Sequence, residues 1–492
     1  MNTVITASML YNLVQCPQRL NLDLHQDHSK KDPESKFVQL LWESGNAFER
    51  DVIERLDVPF VNLREFLDEE KERRTREEIE RRTNLIYGGR ITSDNLLGEP
   101  DLLRWNDTGY VAGDIKSGSG EEGEDSDSSK PKKHYAVQLA HYTHILEKLG
   151  VSSSREPFVW DVHGNEVTYQ LDDPQGPRTP QTLWELYLEV LASAELIISN
   201  TDTILPAVTS SCKLCHWHSY CIEEVVREDD LTLIPELGRS RRDEMMADIA
   251  TVHDLATADL SSYIQGKKTI FKGIGPGTLT KFQTRARLLC DPSASPYLTE
   301  ALNLPDQVKE LFFDIEVDPM RDICYLHGFI EREGQSAGSE RYIPFIINTP
   351  TPEEEERAFS EAWQYLKTCE PYAIYYYSKY ERTWWRKLQQ RYPSVVTVEE
   401  IEALFDPTSA IDLYYDVVKK CTEWPTRDHS IKTLAKYLGF NWRDTSPSGA
   451  ESIEWYHRWV ETDDPSIKQR ILDYNEDDCS ATRVLLDGIR SL

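Results

Sequence analysis

The sequence predicts a multidomain α/β protein, and three observations carry that prediction. At 492 residues the chain exceeds what one ordinary hydrophobic core accommodates, so two or three domains are expected. Short apolar runs split by Gly, Asn and Asp, the texture of strands, occur at 85–116 and begin again after Pro305 with KELFFDIEV. Helical periodicity surrounds both stretches, and a Gly-punctuated helical segment separates them. Boundaries are expected near 228 and 305, giving domains at 1–228 and 306–492 around a helical segment at 229–305.

Taken in order, residues 1 to 60 read as helices, with apolar positions at Leu10, Leu13 and Val14 and then from Phe37 to Ile53. The run REFLDEEKERRTREEIERR at 64–82 alternates acids and bases at i, i+4, which fits an exposed helix. After the first strand group, EEGEDSDSS at 121–129 is expected to be a flexible loop, and a helix is expected over 134–149. The second α/β pattern closes in a helix carrying DYNEDDCSATRVLLDGI. No long-period repeat is present.

Hydrophobic content of 39% and aromatic content of 10% are enough for buried cores. The opening residues lack a basic start, an apolar run and a small-residue cleavage site, and no stretch reaches the roughly 18 to 20 apolar residues of a membrane span. The expectation is a soluble, cytoplasmic protein. A formal charge of −30 argues against loose electrostatic adhesion of the whole molecule to nucleic acid. It leaves room for a basic groove, or for acids gathered around metal ions.

The stretch GEPDLLRWNDTGYVAGDIKSG is the most informative part of the first half. If 110–116 is a strand, Asp114 and Lys116 share a face by period-two alternation, and Asp101 reaches that face from the preceding strand. Two carboxylates of this kind hold Mg²⁺, and a neighbouring lysine positions water and offsets charge during attack on a phosphodiester. Alone, Asp-x-Lys is more often an ordinary surface strand, since the pattern is common by chance. Gln138 and Tyr142 follow on a helix at i, i+4, hence on one face.

With these elements the chain resembles the RecB-like branch of the PD-(D/E)XK nucleases, in which a Gln-x-x-x-Tyr helix follows the Asp…Asp-x-Lys core. SMLYNLVQCPQRLNL is similar to that branch's opening helix. The branch usually carries a histidine metal ligand in a Gly-x-x-x-His helix. Here Gly45-Asn-Ala-Phe-Glu49 puts Glu49 at that position. The resemblance implies a restriction-endonuclease-like, RecB-type core with Glu49, Asp101 and Asp114 as ligands for Mg²⁺ or Mn²⁺. Lys116 would be catalytic, with Gln138 and Tyr142 in support.

Of nine cysteines, three fall in Cys212-Lys-Leu-Cys215-His-Trp-His218-Ser-Tyr-Cys221. In a reducing compartment such a cluster suggests metal before disulfide. Cys212, Cys215, His218 and Cys221 would make a tetrahedral zinc site. Alternatively Cys16 joins Cys212, Cys215 and Cys221 around a [4Fe–4S] cluster. The resemblance to RecB-like nucleases of the CRISPR-associated and AddAB types, with one cysteine before the core and three after it, implies iron–sulfur. Cys290, Cys324, Cys369, Cys421 and Cys479 read as ordinary buried residues.

Between the two halves, Ile234-Pro-Glu-Leu-Gly238 and Phe271-Lys-Gly-Ile-Gly-Pro-Gly277 look like helix–hairpin–helix turns, where small residues let amides approach a phosphate. Arg239, Arg241, Arg242, Lys267, Lys268 and Lys272 supply local positive charge. A plain helical linker with Gly caps fits equally. No Gly-Lys-Ser/Thr ending is present, so no ATPase motor is expected.

In the second half, Leu311-Phe-Phe-Asp314-Ile-Glu316 puts two acids on one face of an apolar strand, a costly arrangement unless cations compensate. Tyr474 and Asp478 lie one helical turn apart in YNEDD. The combination resembles the tyrosine subtype of DEDD exonucleases, of RNase H-like fold, in which Asp-x-Glu and Tyr-x-x-x-Asp bracket two metals and the tyrosine helps to position water. The middle acid of that family matches Tyr375-Tyr-Tyr-Ser-Lys-Tyr-Glu381, so Glu381 would stand in for aspartate, with Asp412 as a second candidate.

The order of these parts over nearly the whole chain is similar to a bacterial family of RecB-like nucleases, in some members fused to a Upf1-type helicase. The resemblance implies a two-site, metal-dependent nuclease on DNA, or on RNA, acting at single-stranded or accessible ends beside a separate helicase. A catalytically decayed nucleic-acid-binding scaffold is the alternative reading.

Overall fold

A computed structural model describes residues 3–123, 130–176, 179–201, 204–445 and 447–492. The backbone divides into two compact units. One runs to Pro206 and includes Ser210–Cys221, and the other comprises Ala207–Thr209 and Ile222–Leu492. Residues 229–305 count with the second unit.

In the first unit, α1 (Ala7–Gln15) starts at Thr6, whose hydroxyl accepts the Met9 amide at 3.2 Å. Cys16 separates it from α2 (Pro17–His25), where proline occupies the first helical position and no amide is wasted. Next come α3 (Lys36–Glu54) and the charged α4 (Asp68–Glu80). Within α4, Glu70 pairs with Arg73 and Arg74, and Arg73 with Glu77, as the sequence spacing predicts.

The central sheet holds β1 (Val61–Asn62), β2 (Leu85–Tyr87), β3 (Leu102–Asn106), β4 (Gly109–Ile115), β5 (Phe158–Trp160) and β6 (Glu166–Thr168), in the order 6-5-4-3-2-1. Strand β4 pairs antiparallel with β3 and parallel with β5, and it is buried along its whole length. That central place explains its almost unbroken apolar run and buries Asp114 with it. Gly113 is required there, because a Cβ would collide with the Phe158 ring of the neighbouring strand. Helix α5 (Lys133–Lys148) joins this core through Ala136, Val137, Leu139 and Ala140, and α6 (Leu183–Ile198) adds Tyr187 and Ala194.

The second unit opens with α7 (Gly238–Met245), α8 (Val252–Thr257) and α9 (Pro276–Cys290). Both expected turns contain left-handed residues, Glu236 and Gly238 in the first and Gly273 in the second. The expected basic patch is only partly available, however. Arg242 is buried and paired with Asp230 and Asp243, and Arg241 donates to the Glu236 carbonyl. Lys267, Lys268 and Lys272 are exposed.

Its sheet comprises β7 (Lys309–Asp318), β8 (Ile323–Glu333), β9 (Arg341–Ile346), β10 (Ala373–Tyr376) and β11 (Ala410–Asp412), in the order 9-8-7-10-11. The first three run antiparallel; β10 pairs parallel with β7, and β11 parallel with β10. Helices α10 (Pro352–Cys369) and α11 (Tyr380–Arg391) follow β9 and β10 respectively. The chain ends through α12 (Ile431–Tyr437), α13 (Gly449–Thr462) and α14 (Pro465–Arg490). Alternation along β7 sorts its two faces. Phe313, Ile315 and Val317 pack with Phe359, Trp363 and Trp385, whereas Phe312 packs with Leu485, Leu486 and Ile489 of α14.

Two sequence expectations need revision. Cys290 is exposed and Cys421 half-buried rather than core, while Cys324, Cys369 and Cys479 are buried. Of the expected loop at 121–129, residues 124–129 lie outside the described residues, and Glu121–Glu122 pairs with Lys130–Pro131.

Candidate functional site

Two carboxylate constellations stand in the two units. In the first, Asp101 precedes β3 and Asp114 lies near the end of β4, and the antiparallel pairing brings them together. The Asp101 amide donates to Asp114 Oδ1 at 3.3 Å, and the Ile115 amide donates to Asp101 Oδ2 at 2.9 Å. Lys116 Nζ lies 2.8 Å from Asp114 Oδ2, so the acid and the base do share a face. Gln138 Nε2 donates to the Tyr142 hydroxyl at 2.9 Å, while the buried Gln138 Oε1 has no hydrogen-bond partner.

Glu49 belongs to the same constellation, but through a residue that the sequence reading missed. Arg64 Nη1 lies 2.7 Å from Glu49 Oε1 and 3.5 Å from Asp101 Oδ1, bridging the two acids. Tyr87 also donates to Glu49 Oε1, at 2.9 Å. Neither Arg64 nor Tyr87 carries a sequence signal, since both reach Glu49 only when β1 and β2 align side by side.

The electrostatics follow from this packing. Burial, and then the charge of Asp114, pushes the Asp101 carboxyl above the usual carboxylate range. Burial works against the Lys116 ammonium, but Asp114 and Asp101 outweigh it and raise its pKa. Tyr142 is held well above its ordinary value by burial and by the same two carboxylates.

In the second unit, Asp314 and Glu316 of β7 meet Asp478 of α14. Each presents a carboxylate oxygen within 4.8 Å of the others. Close approach of α14 to the sheet makes this possible. Gly328 of β8 stands opposite Asp314, and a Cβ there would overlap the Asn475 side chain. Asn475 Nδ2 instead donates to Asp314 Oδ2 at 2.7 Å, and its Oδ1 accepts from the Tyr342 hydroxyl at 2.8 Å.

Other partners come from β8 and from the stretch between β11 and α14. Trp442 Nε1 donates to Asp478 Oδ1 at 2.7 Å. Lys432 Nζ donates to the Tyr474 hydroxyl at 3.0 Å, and that hydroxyl also bonds Asp478. The Tyr325 hydroxyl donates to Glu316 Oε2 at 3.3 Å and contacts Ser452 Oγ at 2.8 Å. Asn475 was within reach of sequence reasoning, being adjacent to Tyr474. Lys432, Trp442 and Ser452 lie too far away in sequence from their partners to have been inferred, whereas Tyr325 is only nine residues from Glu316 on the adjacent strand.

Glu381 sits in the first turn of α11, outside the tight group of three but close enough for its charge to act on Asp314. It is buried, and its Oε2 has no hydrogen-bond partner. Asp412, the second candidate, is occupied otherwise: its Oδ1 accepts the amides of Ser378, Tyr414 and Tyr415 at 3.1, 3.0 and 3.0 Å. Burial, followed by the neighbouring acids, holds Asp314 and Glu316 above the carboxylate range. Glu381 is raised by burial first and then by Asp412. Burial also raises Asp478, against the opposing charge of Lys432 and the hydrogen bond from Trp442. Glu316 and Glu381 are buried and Asp314 and Asp478 half-buried, and acids gathered in this way form a donor set suited to hard divalent cations.

Cys16 stands at the join of α1 and α2, within electrostatic reach of Cys215. Burial raises the Cys215 thiol, and the nearby Cys16 and Cys212 raise it further. Asp23 of α2 ties the cysteine loop down, accepting from His216 Nε2 at 2.9 Å and Trp217 Nε1 at 3.0 Å.

A family model of the PD-(D/E)XK nuclease superfamily matches residues 20–222, and one of the RNase H superfamily matches residues 311–489. The chain carries one domain of each superfamily. No curated protein matches it. Both superfamilies are nucleases that commonly use Mg²⁺ or Mn²⁺, so the chain is a metal-dependent nuclease in the general sense. Among the described residues, no helix is long and apolar enough to cross a membrane.

Proposed function

We propose that the chain hydrolyses phosphodiester bonds of DNA, at single-stranded or otherwise accessible ends, using both carboxylate sites. The observation that carries this reading is the convergence of buried Glu316 and half-buried Asp314 and Asp478 within 4.8 Å of one another, a repulsive arrangement that divalent cations relieve. Bound there, such ions would stabilise the attacking and leaving oxygens of an in-line displacement. In this reading Asp314, Glu316, Glu381 and Asp478 hold the cations. Asn475 and Trp442 fix the orientation of two of these acids. Tyr474, whose hydroxyl accepts from Lys432 and bonds Asp478, orients the attacking water.

At the first site Asp101 and Asp114 are the metal ligands, joined by Glu49, whose pairing with Arg64 would have to loosen on metal binding. Lys116 places its ammonium where negative charge develops on the phosphate. Gln138 and Tyr142 support the substrate side. The four cysteines Cys16, Cys212, Cys215 and Cys221 hold a [4Fe–4S] cluster with a structural role, and zinc is the rival. Cys16 and Cys212 are near enough to Cys215 to raise its thiol, which supports a shared cation, although the only group of three ligands within 4.8 Å among the described residues is that of Asp314, Glu316 and Asp478. Iron and sulfide analysis of anaerobically purified protein, against zinc content, separates the two.

The decisive assay uses end-labelled single-stranded DNA with Mg²⁺ or Mn²⁺ and compares wild type, Lys116→Ala, Asp478→Ala and the double variant. Cleavage by each single variant and none by the double supports two working sites. If all four cut alike, the assignment fails. If wild type cuts neither DNA nor RNA yet binds them, the chain is a scaffold for a partner such as a separate helicase.

A further inference from the structure

Beside the first carboxylate pair lies a cleft of about 300 Å³. Lys71 of α4 and Arg64 line it, with Thr6, Ala7 and Ser8 from the start of α1. The Lys71 side chain is only 13% exposed, yet its ion-pair partner Glu99 stands at 3.7 Å, beyond hydrogen-bond distance. Arg90 holds that same Glu99 at 3.0 Å. The Lys71 ammonium therefore has no acceptor within hydrogen-bond distance among the described residues, yet it is not a fully buried group and so stays open to a ligand in the cleft. Arg64 connects the cleft to the catalytic acids, being 3.5 Å from Asp101. Ala7 and Ser8, the first two residues of α1, belong to the same wall, and their amides precede any intrahelical acceptor, whereas the Met9 amide is taken by the Thr6 hydroxyl. Arg64 and Lys71 thus face the cleft together with Glu99, whose carboxylate Arg90 holds.

We propose that this cleft is a phosphate-binding subsite of the first nuclease site, in which Lys71 and Arg64 grip a substrate phosphate next to the bond that is cut. The inference rests on the reading of that site as a nuclease. The ligand chemistry is a phosphate oxyanion, borne by either a terminal phosphomonoester or an internal phosphodiester.

The test measures binding of fluorescein-labelled single-stranded DNA, 5′-phosphorylated or 5′-hydroxyl, in Ca²⁺ over a salt series. The full chain carries Asp478→Ala and is compared with the same chain bearing Lys71→Met or Lys71→Arg. Lys71→Met is expected to weaken binding about three- to tenfold and to flatten the slope of log affinity against log salt by about 0.7, the share of one single-strand phosphate contact. Lys71→Arg keeps both. Weakening confined to 5′-phosphorylated strands identifies the terminal phosphate, and equal weakening identifies an internal one. Unchanged affinity and slope in Lys71→Met overturns the subsite, as does equal weakening by both substitutions. Cleavage by the Asp478→Ala chain is followed in parallel in Mg²⁺ or Mn²⁺: its absence alongside the expected binding pattern would overturn the nuclease reading of the first site and leave the subsite standing.

Discussion

The two constellations handle negative charge in different ways. At the first, protein cations sit among the acids: Lys116 contacts Asp114, and Arg64 bridges Glu49 and Asp101. At the second, Asp314, Glu316 and Glu381 make no ion pair among the described residues, and Lys432 acts on the acids from beside Tyr474. Neutral donors, Asn475, Trp442 and Tyr325, orient these acids without cancelling their charge. The contrast teaches that similar acids can be balanced from within the fold or left for bound ions to balance. The second site should therefore depend more steeply on metal than the first.

The largest expected effect separates the sites. Lys116→Ala and Asp478→Ala should each abolish one cleavage activity by about a thousandfold, equivalent to several kcal/mol of transition-state stabilisation. Single-turnover rates of each variant against the double variant check this, and a Mg²⁺ titration should show the steeper dependence in Lys116→Ala, where only the second site remains. Equal dependence in both single variants would break the contrast.

Gly328→Ala comes next. The added Cβ would push Asn475 and α14 away from β8, at a cost of about 1–3 kcal/mol in stability. Second-site activity should fall with it while first-site activity persists, as thermal unfolding and the same cleavage assay would reveal.

A smaller effect concerns pH. Asp314 and Glu316 have raised pKa values in the folded protein, so metal-free folded chain binds protons there that the unfolded chain has released. Stability contributed by these groups is therefore lost as pH rises from about 4 through their raised values, by about 1 kcal/mol per pH unit for each group at most. Glu316→Gln should make the metal-free protein less sensitive to pH across that window while lowering activity. Denaturant midpoints measured in chelator from pH 5 to 8 test it, and an unaltered pH slope would contradict the assigned burial.

The smallest effect belongs to Lys432. Lys432→Met removes a positive charge that acts on Asp314, Glu316 and Asp478, so the metal concentration for half-maximal activity should fall by about fivefold, on the order of 1 kcal/mol, even as turnover slows. A rise in that concentration would show that the lysine acts otherwise.

Much of this was legible in the sequence, because local periodicity constrains local structure. Alternation put Asp314 and Glu316 on one face of β7, and helical spacing put Tyr474 over Asp478 and Gln138 over Tyr142. The charged run at 64–82 announced α4 by its pairs one turn apart. These are consequences of backbone geometry, which repeats every two or every few residues whatever the rest of the chain does. Other features depended on contacts that only tertiary packing makes. Arg64 reaches Glu49 because β1 pairs parallel with β2, and Lys432 reaches Tyr474 across 42 residues. Arg242, read as available charge, is instead enclosed by Asp230 and Asp243. The sequence by itself determined which acids share a face; packing alone decided which cations and donors meet them, since charge compensation acts through space and carries no periodicity along the chain.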